Sequence, residues 1–252
     1  MDTRFELGFT QVEPRVFRRQ VEALSRLGYR SLGSSELLAA IADPSLLAPG
    51  TPHLVFSFDD GYEALARHAF PVLADHGYRA LVFVITDYVG RENTWDVQYG
   101  WRRFRHLSWE QLGAWQERGV EVHAHGATHA RLTWLSDAEV SQELEGSREE
   151  IRARLGVAPA AVCYPFGAVD ERVRSLAVRA GYTLGFTGAS RRQGGPMLVP
   201  RLPVYQWDRS AVPLVLQGGA LGSLARAAAR LTGRIAVGTP LVQRALGRRY
   251  RR

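Results

Sequence analysis

An α/β fold with a parallel sheet rolled toward a barrel is what this chain predicts, and three observations carry the prediction. Short apolar runs alternate with segments of helical periodicity, the pattern of repeated βαβ units. At 252 residues and 46% hydrophobic content the chain can bury a sizeable core, and α/β barrels of this size commonly form one domain. The residues with reactive side chains fall just after the apolar runs, where the loops of such barrels carry function.

The elements follow in order. Residues 14–27 and 34–41 carry helical patterns ahead of the first strand, the apolar run 54–58. Residues 62–76 return as a helix and 80–85 form the second strand. A long connection, 87–106, leads to helix 108–118 and strand 120–124. Helix 136–155 opens on Ser136, which with Glu139 makes a capping box, and it precedes strand 161–164. Helix 170–180 and strands 183–186 and 199–204 complete the set, with no internal repeat or low-complexity tract.

Ser57-Phe58-Asp59-Asp60-Gly61 closes the first strand with two adjacent carboxylates. Successive side chains on a strand point opposite ways, so the two acids can share one site only if the chain bends at once, which Gly61 permits. One carboxylate can then hold a metal while the other handles a proton. Downstream, residues 119–125 run into Gly126-Ala127-Thr128-His129, so that His125 and His129 are four apart. On a helical turn that spacing stacks both imidazoles on one face. With one Asp they make three protein ligands for zinc and leave a fourth position open. Structural zinc sites fill all four positions and favour Cys, of which the chain has only Cys163. An open, catalytic metal is the better reading.

A third segment, Cys163-Tyr164-Pro165-Phe166-Gly167, turns from a strand end into a loop. In this order the three segments resemble the polysaccharide deacetylase family (carbohydrate esterase family four, the NodB-homology domain). Its signatures are a Ser/Thr-Phe-Asp-Asp-Gly motif, a His-Ser/Thr-x-x-His-like motif and a Pro-Tyr/Phe-Gly motif. The resemblance covers residues 17–204. Asn93-Thr94-Trp95-Asp96, Leu107-Ser108-Trp109-Glu110, His129-Ala130-Arg131-Leu132 and Ala180-Gly181-Tyr182 look like stretches of members found with exopolysaccharide genes.

The resemblance implies a distorted (β/α) barrel and one divalent ion, with Zn2+ the leading candidate. It implies Asp59 as catalytic base and Asp60 as metal ligand beside His125 and His129. The backbone N–H of Phe166 is implied as part of an oxyanion hole, with Tyr164 of the same motif on the substrate side. The residue chemistry agrees independently. A metal activates water and polarises a carbonyl, a carboxylate takes the water's proton, and backbone donors stabilise the oxyanion, which together suffice for amide hydrolysis.

Two departures from the family bear on activity. Many members carry an Arg shortly before the third motif's Pro to orient the base, where this chain has Cys163 or Val162. Arg201, in Val199-Pro200-Arg201-Leu202-Pro203, is the candidate replacement. The family also supplies a His as general acid, on a late strand or near the N-terminus. The seven His here are 53, 68, 76, 106, 123, 125 and 129, so neither place has one. By elimination His106, at the end of the long connection, is the substitute. His123 shares strand parity with His125 and should lie one layer deeper. Trp95, Tyr99 and Trp101 cluster in the long connection, either as a sugar-stacking surface led by Trp95 beside Asp96 or as anchors of their own loop.

Charge divides the chain. Residues 209–252 hold nine Arg and no Asp or Glu, so of the net +7 the tail supplies nine and residues 1–208 carry −2. Leu221, Leu224, Ala228, Leu231 and Ile235 recur at near-helical spacing with Arg226, Arg230 and Arg234 between them. This basic amphipathic pattern suits an anionic membrane surface, an acidic polymer, or packing against the barrel. Residues 1–208 are therefore expected to form the deacetylase-like domain and 209–252 an Arg-rich appendage. Nucleic acid is not expected, because the basic residues lack interleaved aromatics and a recognition motif.

The N-terminus begins with mixed charge and lacks a secretory h-region, no run of about 18 apolar residues could span a bilayer, and the single Cys forms no internal disulfide. A cytoplasmic location is expected, peripheral at the inner membrane face if the tail engages lipid. The function implied is a metal-dependent hydrolase that removes N-acetyl groups from a sugar of a polysaccharide, oligosaccharide or lipid-linked glycan. An O-acetyl esterase or a non-peptide C–N hydrolase of the same fold remains open, as does a carbohydrate-binding or assembly protein lacking a proton donor.

Overall fold

Parallel strands need a crossover of a dozen or so residues between them, and the helical segments of this chain supply those crossovers. The computed structural model describes residues 12–94, 103–188 and 194–204. Helix α1 (Pro14–Arg26) leads to β1 (Arg30–Ser31), α2 (Ser34–Ala42) and β2 (His53–Leu54), and the two short strands pair in parallel. Six further strands form one parallel sheet in strict chain order: β3 (Phe56–Phe58), β4 (Ala80–Val84), β5 (Val120–Ala124), β6 (Ala161–Cys163), β7 (Leu184–Thr187) and β8 (Val199–Pro200). An order without reversal is the progression of a (β/α) barrel rather than of a doubly wound sheet, as expected. The six strands make a half-barrel.

The connecting helices are α3 (Ala64–His68) and α4 (Phe70–Asp75), then α5 (Trp109–Gln116), α6 (Asp137–Leu155) and α7 (Glu171–Arg179). Strand alternation sorts the core into two layers. Leu81, Phe83, Ala161, Cys163, Leu184 and Phe186 meet on one face. Val82, Val84, Val122, Ala124, Val162 and Tyr164 belong to the larger cluster packed with residues of the helices. All five residues of β4 are buried, because this strand is covered on both faces. The capping box at α6 forms as expected, Ser136 accepting from the Glu139 N–H while Glu139 accepts from the Ser136 N–H at 2.8 Å.

Three expected elements differ. The helix over 62–76 is divided at Ala69, because Pro71 in the first turn of α4 has no N–H to continue the ladder. The strand over 54–58 serves two sheets, with His53–Leu54 pairing to β1 and Phe56–Phe58 to β4. The strand over 199–204 stops at Pro200, after which Arg201 leaves the sheet. The Arg-rich stretch 209–252 lies outside the described residues, as do Trp95, Tyr99 and Trp101.

Candidate active site

The carboxyl ends of the strands converge on the residues singled out by the motifs. Asp59 and Asp60 follow β3, His125 and His129 follow β5, Phe166 follows β6 and Arg201 follows β8. The bend expected at Gly61 is present, with Gly61 at φ 69° and its N–H donating to the Asp59 carbonyl at 2.8 Å. It begins one residue earlier, because Asp60 itself is left-handed at φ 65°.

Among the described residues, three non-glycines have positive φ: Asp60, His129 at 64° and Phe166 at 60°. All three are site residues, each contributed by a different strand end. A left-handed side-chain-bearing residue costs about 1–2 kcal/mol, and such conformations persist only where the surroundings over-determine them. The local reason for the His pair therefore differs from the expected helical turn. His125 ends the extended run of β5, and the loop 126–129 folds back through left-handed Gly126 and His129. The two imidazoles meet edge to face with ring centroids 4.7 Å apart.

Asp60 Oδ1 lies 3.6 Å from His125 Nε2 and 3.7 Å from His129 Nε2. Two tetrahedral ligands about 2.1 Å from a common ion are separated by about 3.4 Å, so this donor set fits a divalent cation. Tautomer chemistry agrees. His125 Nδ1–H donates to the Cys163 carbonyl at 2.7 Å, which leaves the Nε2 lone pair directed at Asp60, the arrangement used to orient metal-binding histidines. Burial holds both imidazoles below their usual pKa, His129 the further, so both present neutral nitrogen donors.

A second trio, Asp59, His125 and Cys163, is equally close, but a cation already occupies it. Arg201 donates Nη1 to Asp59 Oδ1 at 2.6 Å, Nη2 to Asp59 Oδ2 at 2.7 Å and Nη2 to Cys163 Sγ at 2.9 Å. Burial pushes the Cys163 thiol well above its usual range, which disfavours the thiolate a metal needs. Desolvation alone would raise the Asp59 carboxyl, yet the Arg201 guanidinium, by charge and by its paired hydrogen bonds, holds it well below the usual carboxylate range. Asp59 is thus ionised, fork-bound, and still 37% exposed, so it can meet a molecule in the cleft.

The other expected residues divide. Phe166 lies beside the candidate ligands, its ring edge to face with His129 at 4.6 Å. Tyr164 is not a substrate contact through its side chain: strand parity turns it into the core, fully buried beside Gly185. His106 is brought against the site but sealed within it. Its ring is 1% exposed, lies 4.8 Å from the Tyr62 ring, and donates Nδ1–H to the Asp60 carbonyl at 2.7 Å. A general acid must reach a leaving group, and the Nε2 of this ring, the nitrogen left free by the Nδ1–H bond to Asp60, is itself buried. His123 does lie deeper, 3.3 Å from Glu121 through Nε2 and against the Phe83 ring. Trp95 lies outside the described residues.

One residue escaped the sequence reading. Glu143 of α6 is 8% exposed and reaches the loop between the two His. A Glu in a helix rich in Glu gives no local signal.

The family model for polysaccharide deacetylases matches residues 48–185. The Bacillus subtilis (strain 168) protein YxkH, itself named for that family, is 24% identical over 217 residues, covering 84% of this chain and 70% of YxkH. Poly-beta-1,6-N-acetyl-D-glucosamine N-deacetylases of Staphylococcus aureus are 24% identical over 140 residues, 52% of this chain and 46% of theirs; the match spans just under half of those relatives. Among solved structures, Streptococcus pyogenes deacetylase PplD in complex with acetate superposes with TM-score 0.72 at 20% identity, over 84% of this chain and 90% of PplD. IcaB from Ammonifex degensii gives 0.69 at 23% identity, over 85% and 93%. At those identities the structures establish the shared fold.

Proposed function

Because this chain belongs to the polysaccharide deacetylase family, we propose that it hydrolyses N-acetyl groups from an N-acetylated glycan with the help of one divalent ion, zinc first among the candidates. The observation that carries the proposal is the convergence of Asp60, His125 and His129 next to the fork-bound Asp59. Asp60, His125 and His129 would hold the ion, which when bound supplies Lewis acidity at the amide carbonyl and an activated water. Asp59 accepts the proton of the attacking water at a carboxylate oxygen, and Arg201 fixes its orientation and keeps it ionised. We assign the oxyanion role to the backbone N–H of Phe166, a reading supported by its left-handed position at the end of β6 beside His129.

His106 is assigned to holding Asp60 rather than to giving a proton, since its Nδ1–H bonds the Asp60 carbonyl and its Nε2 is buried away from the cleft. Among the described residues, Asp59, once protonated, can return a proton to the leaving amine. Poly-N-acetylglucosamine is the substrate class suggested by the staphylococcal relatives. We assign the Arg-rich residues 209–252 to an anionic surface on the cytoplasmic side of the membrane, a reading supported by their nine Arg without a counter-charge.

Metal analysis of the purified protein combined with an acetate-release screen over N-acetylated and O-acetylated glycans tests the proposal. One bound ion and acetate from N-acetylated glycans is the expected result. Acetate from O-acetylated glycans alone would make it an esterase. Tight glycan binding with a bound metal and no acetate would favour the carbohydrate-binding reading, which the sealed His106 motivates.

A further inference from the structure

The loop that joins the two candidate histidine ligands wraps around a single buried carboxylate. Glu143 Oε2 accepts from the Ala127 N–H at 2.8 Å and from the Thr128 N–H at 3.0 Å, and Oε1 accepts from the Thr128 hydroxyl at 2.6 Å. These donors stand between His125 and His129, and the residue that follows them is the left-handed His129. The approach is close enough that a Cβ on Gly126 would stand 2.9 Å from Glu143 Oε2, at a φ of 78° that already favours glycine. Glu143 comes from the second turn of the 19-residue α6, whose Val140, Leu144 and Ile151 are wholly buried.

We propose that Glu143 is a positioning residue for the metal site: it clamps residues 126–128 so that His129 is held in its left-handed conformation with Nε2 facing Asp60. The inference rests on the metal reading above. A carboxylate suits the task because it offers only acceptors, and all three loop groups are donors. A Gln of the same shape would lose the charge assistance of both N–H bonds and could keep the third only if the Thr128 hydroxyl turned to accept from its NH2. The loop would then lose part of its grip, and His129 could relax toward an ordinary right-handed or extended conformation that takes its nitrogen away from Asp60. Groups that orient a metal ligand from behind typically contribute 10- to 100-fold in metal affinity.

The test is zinc affinity of the full chain, measured by competition with a chromophoric chelator, with the visible absorption of the cobalt(II) form as a reporter of ligand geometry. Glu143→Gln is expected to weaken binding about 10- to 100-fold and to alter the cobalt spectrum. Thr128→Val, which removes one of the three bonds without touching α6, should fall between it and the unchanged protein. Ile151→Val, a loss of packing two turns along the same helix, should lower Tm while leaving affinity and spectrum unchanged. Wild-type affinity in Glu143→Gln overturns the clamp while leaving the metal site intact. Equal loss in Ile151→Val reduces the role of Glu143 to general stability and overturns it also. Failure of the unsubstituted protein to bind zinc or cobalt overturns the metal site and this role with it. If Glu143→Gln does not fold, Thr128→Val carries the comparison, and wild-type affinity and spectrum there reject the clamp.

Discussion

Arg201 Nη2 stands 2.9 Å from the sulfur of Cys163, on a side chain delivered from 38 residues further along the chain. Cys163 or its neighbour Val162 stands where the family resemblance implies an arginine that orients the base. Here a small side chain leaves the space, and the guanidinium enters it from the end of β8. Arg201→Ala is expected to cost about 100-fold in kcat, the scale of a misplaced catalytic group. Arg201→Lys should rescue little, because an ammonium cannot form the two-pronged bond to Asp59. The double variant Cys163→Arg with Arg201→Ala should regain part of the loss; no recovery would mean that the two positions are not interchangeable.

Base and ligand are separable by substitution. Asp59→Asn should retain the metal while losing about 10² to 10⁴ in turnover, the usual share of general base assistance. His129→Ala should lose metal and turnover together. Metal content and acetate release measured on the same preparations distinguish the two patterns, and Asp59→Asn with near-normal turnover would remove Asp59 as the base.

Tyr164→Phe should leave turnover unchanged and shift stability by no more than about 1 kcal/mol, since the side chain is buried in the core and not at the cleft. A rise in KM without a change in Tm would instead return Tyr164 to the substrate.

A pH dependence arises at the opposite end of β5. Glu121 faces Arg79 at 3.0 Å, the Ser34 N–H at 3.0 Å and His123 at 3.3 Å, with Glu36 on the far side of Arg79. Burial would raise its pKa, but His123 and the Ser34 bonds outweigh burial and bring it from the usual 4.5 to about 2. A folded pKa below the unfolded one means that the unfolded chain binds the proton first. The contribution of Glu121 is therefore complete above pH 4.5 and disappears as pH falls toward 2. The Tm difference between the unsubstituted protein and Glu121→Gln should be constant above that window and shrink within it. A difference that stays constant down to the acid limit would contradict the shift.

Much of the architecture could be read from patterns of residues. The alternation of apolar runs and helical segments located all six strands of the main sheet, because buried strands need continuous apolar stretches and crossovers need length. Two-residue strands such as β1 carry no periodicity, so their sheet was invisible. The break at Pro71 was legible in principle and outweighed by the helical pattern around it. At the site, Asp59, Asp60, His125 and His129 were visible through spacing and order, yet the same spacing of four fits a helical turn and the left-handed return that the chain adopts. Glu143 and the Nδ1 bond of His106 were illegible, because each is defined by a partner distant in sequence and neither residue differs locally from a solvated one.

The three left-handed residues have a consequence for anyone remaking this protein. Glycine at positions 60, 129 and 166 would relieve the backbone, and a redesign that rewarded only relaxed dihedrals would be drawn to it. The product would be a sturdier barrel with its cleft emptied of chemistry. Stabilising this scaffold by substitution should therefore start from the helices and leave those three torsions as they are.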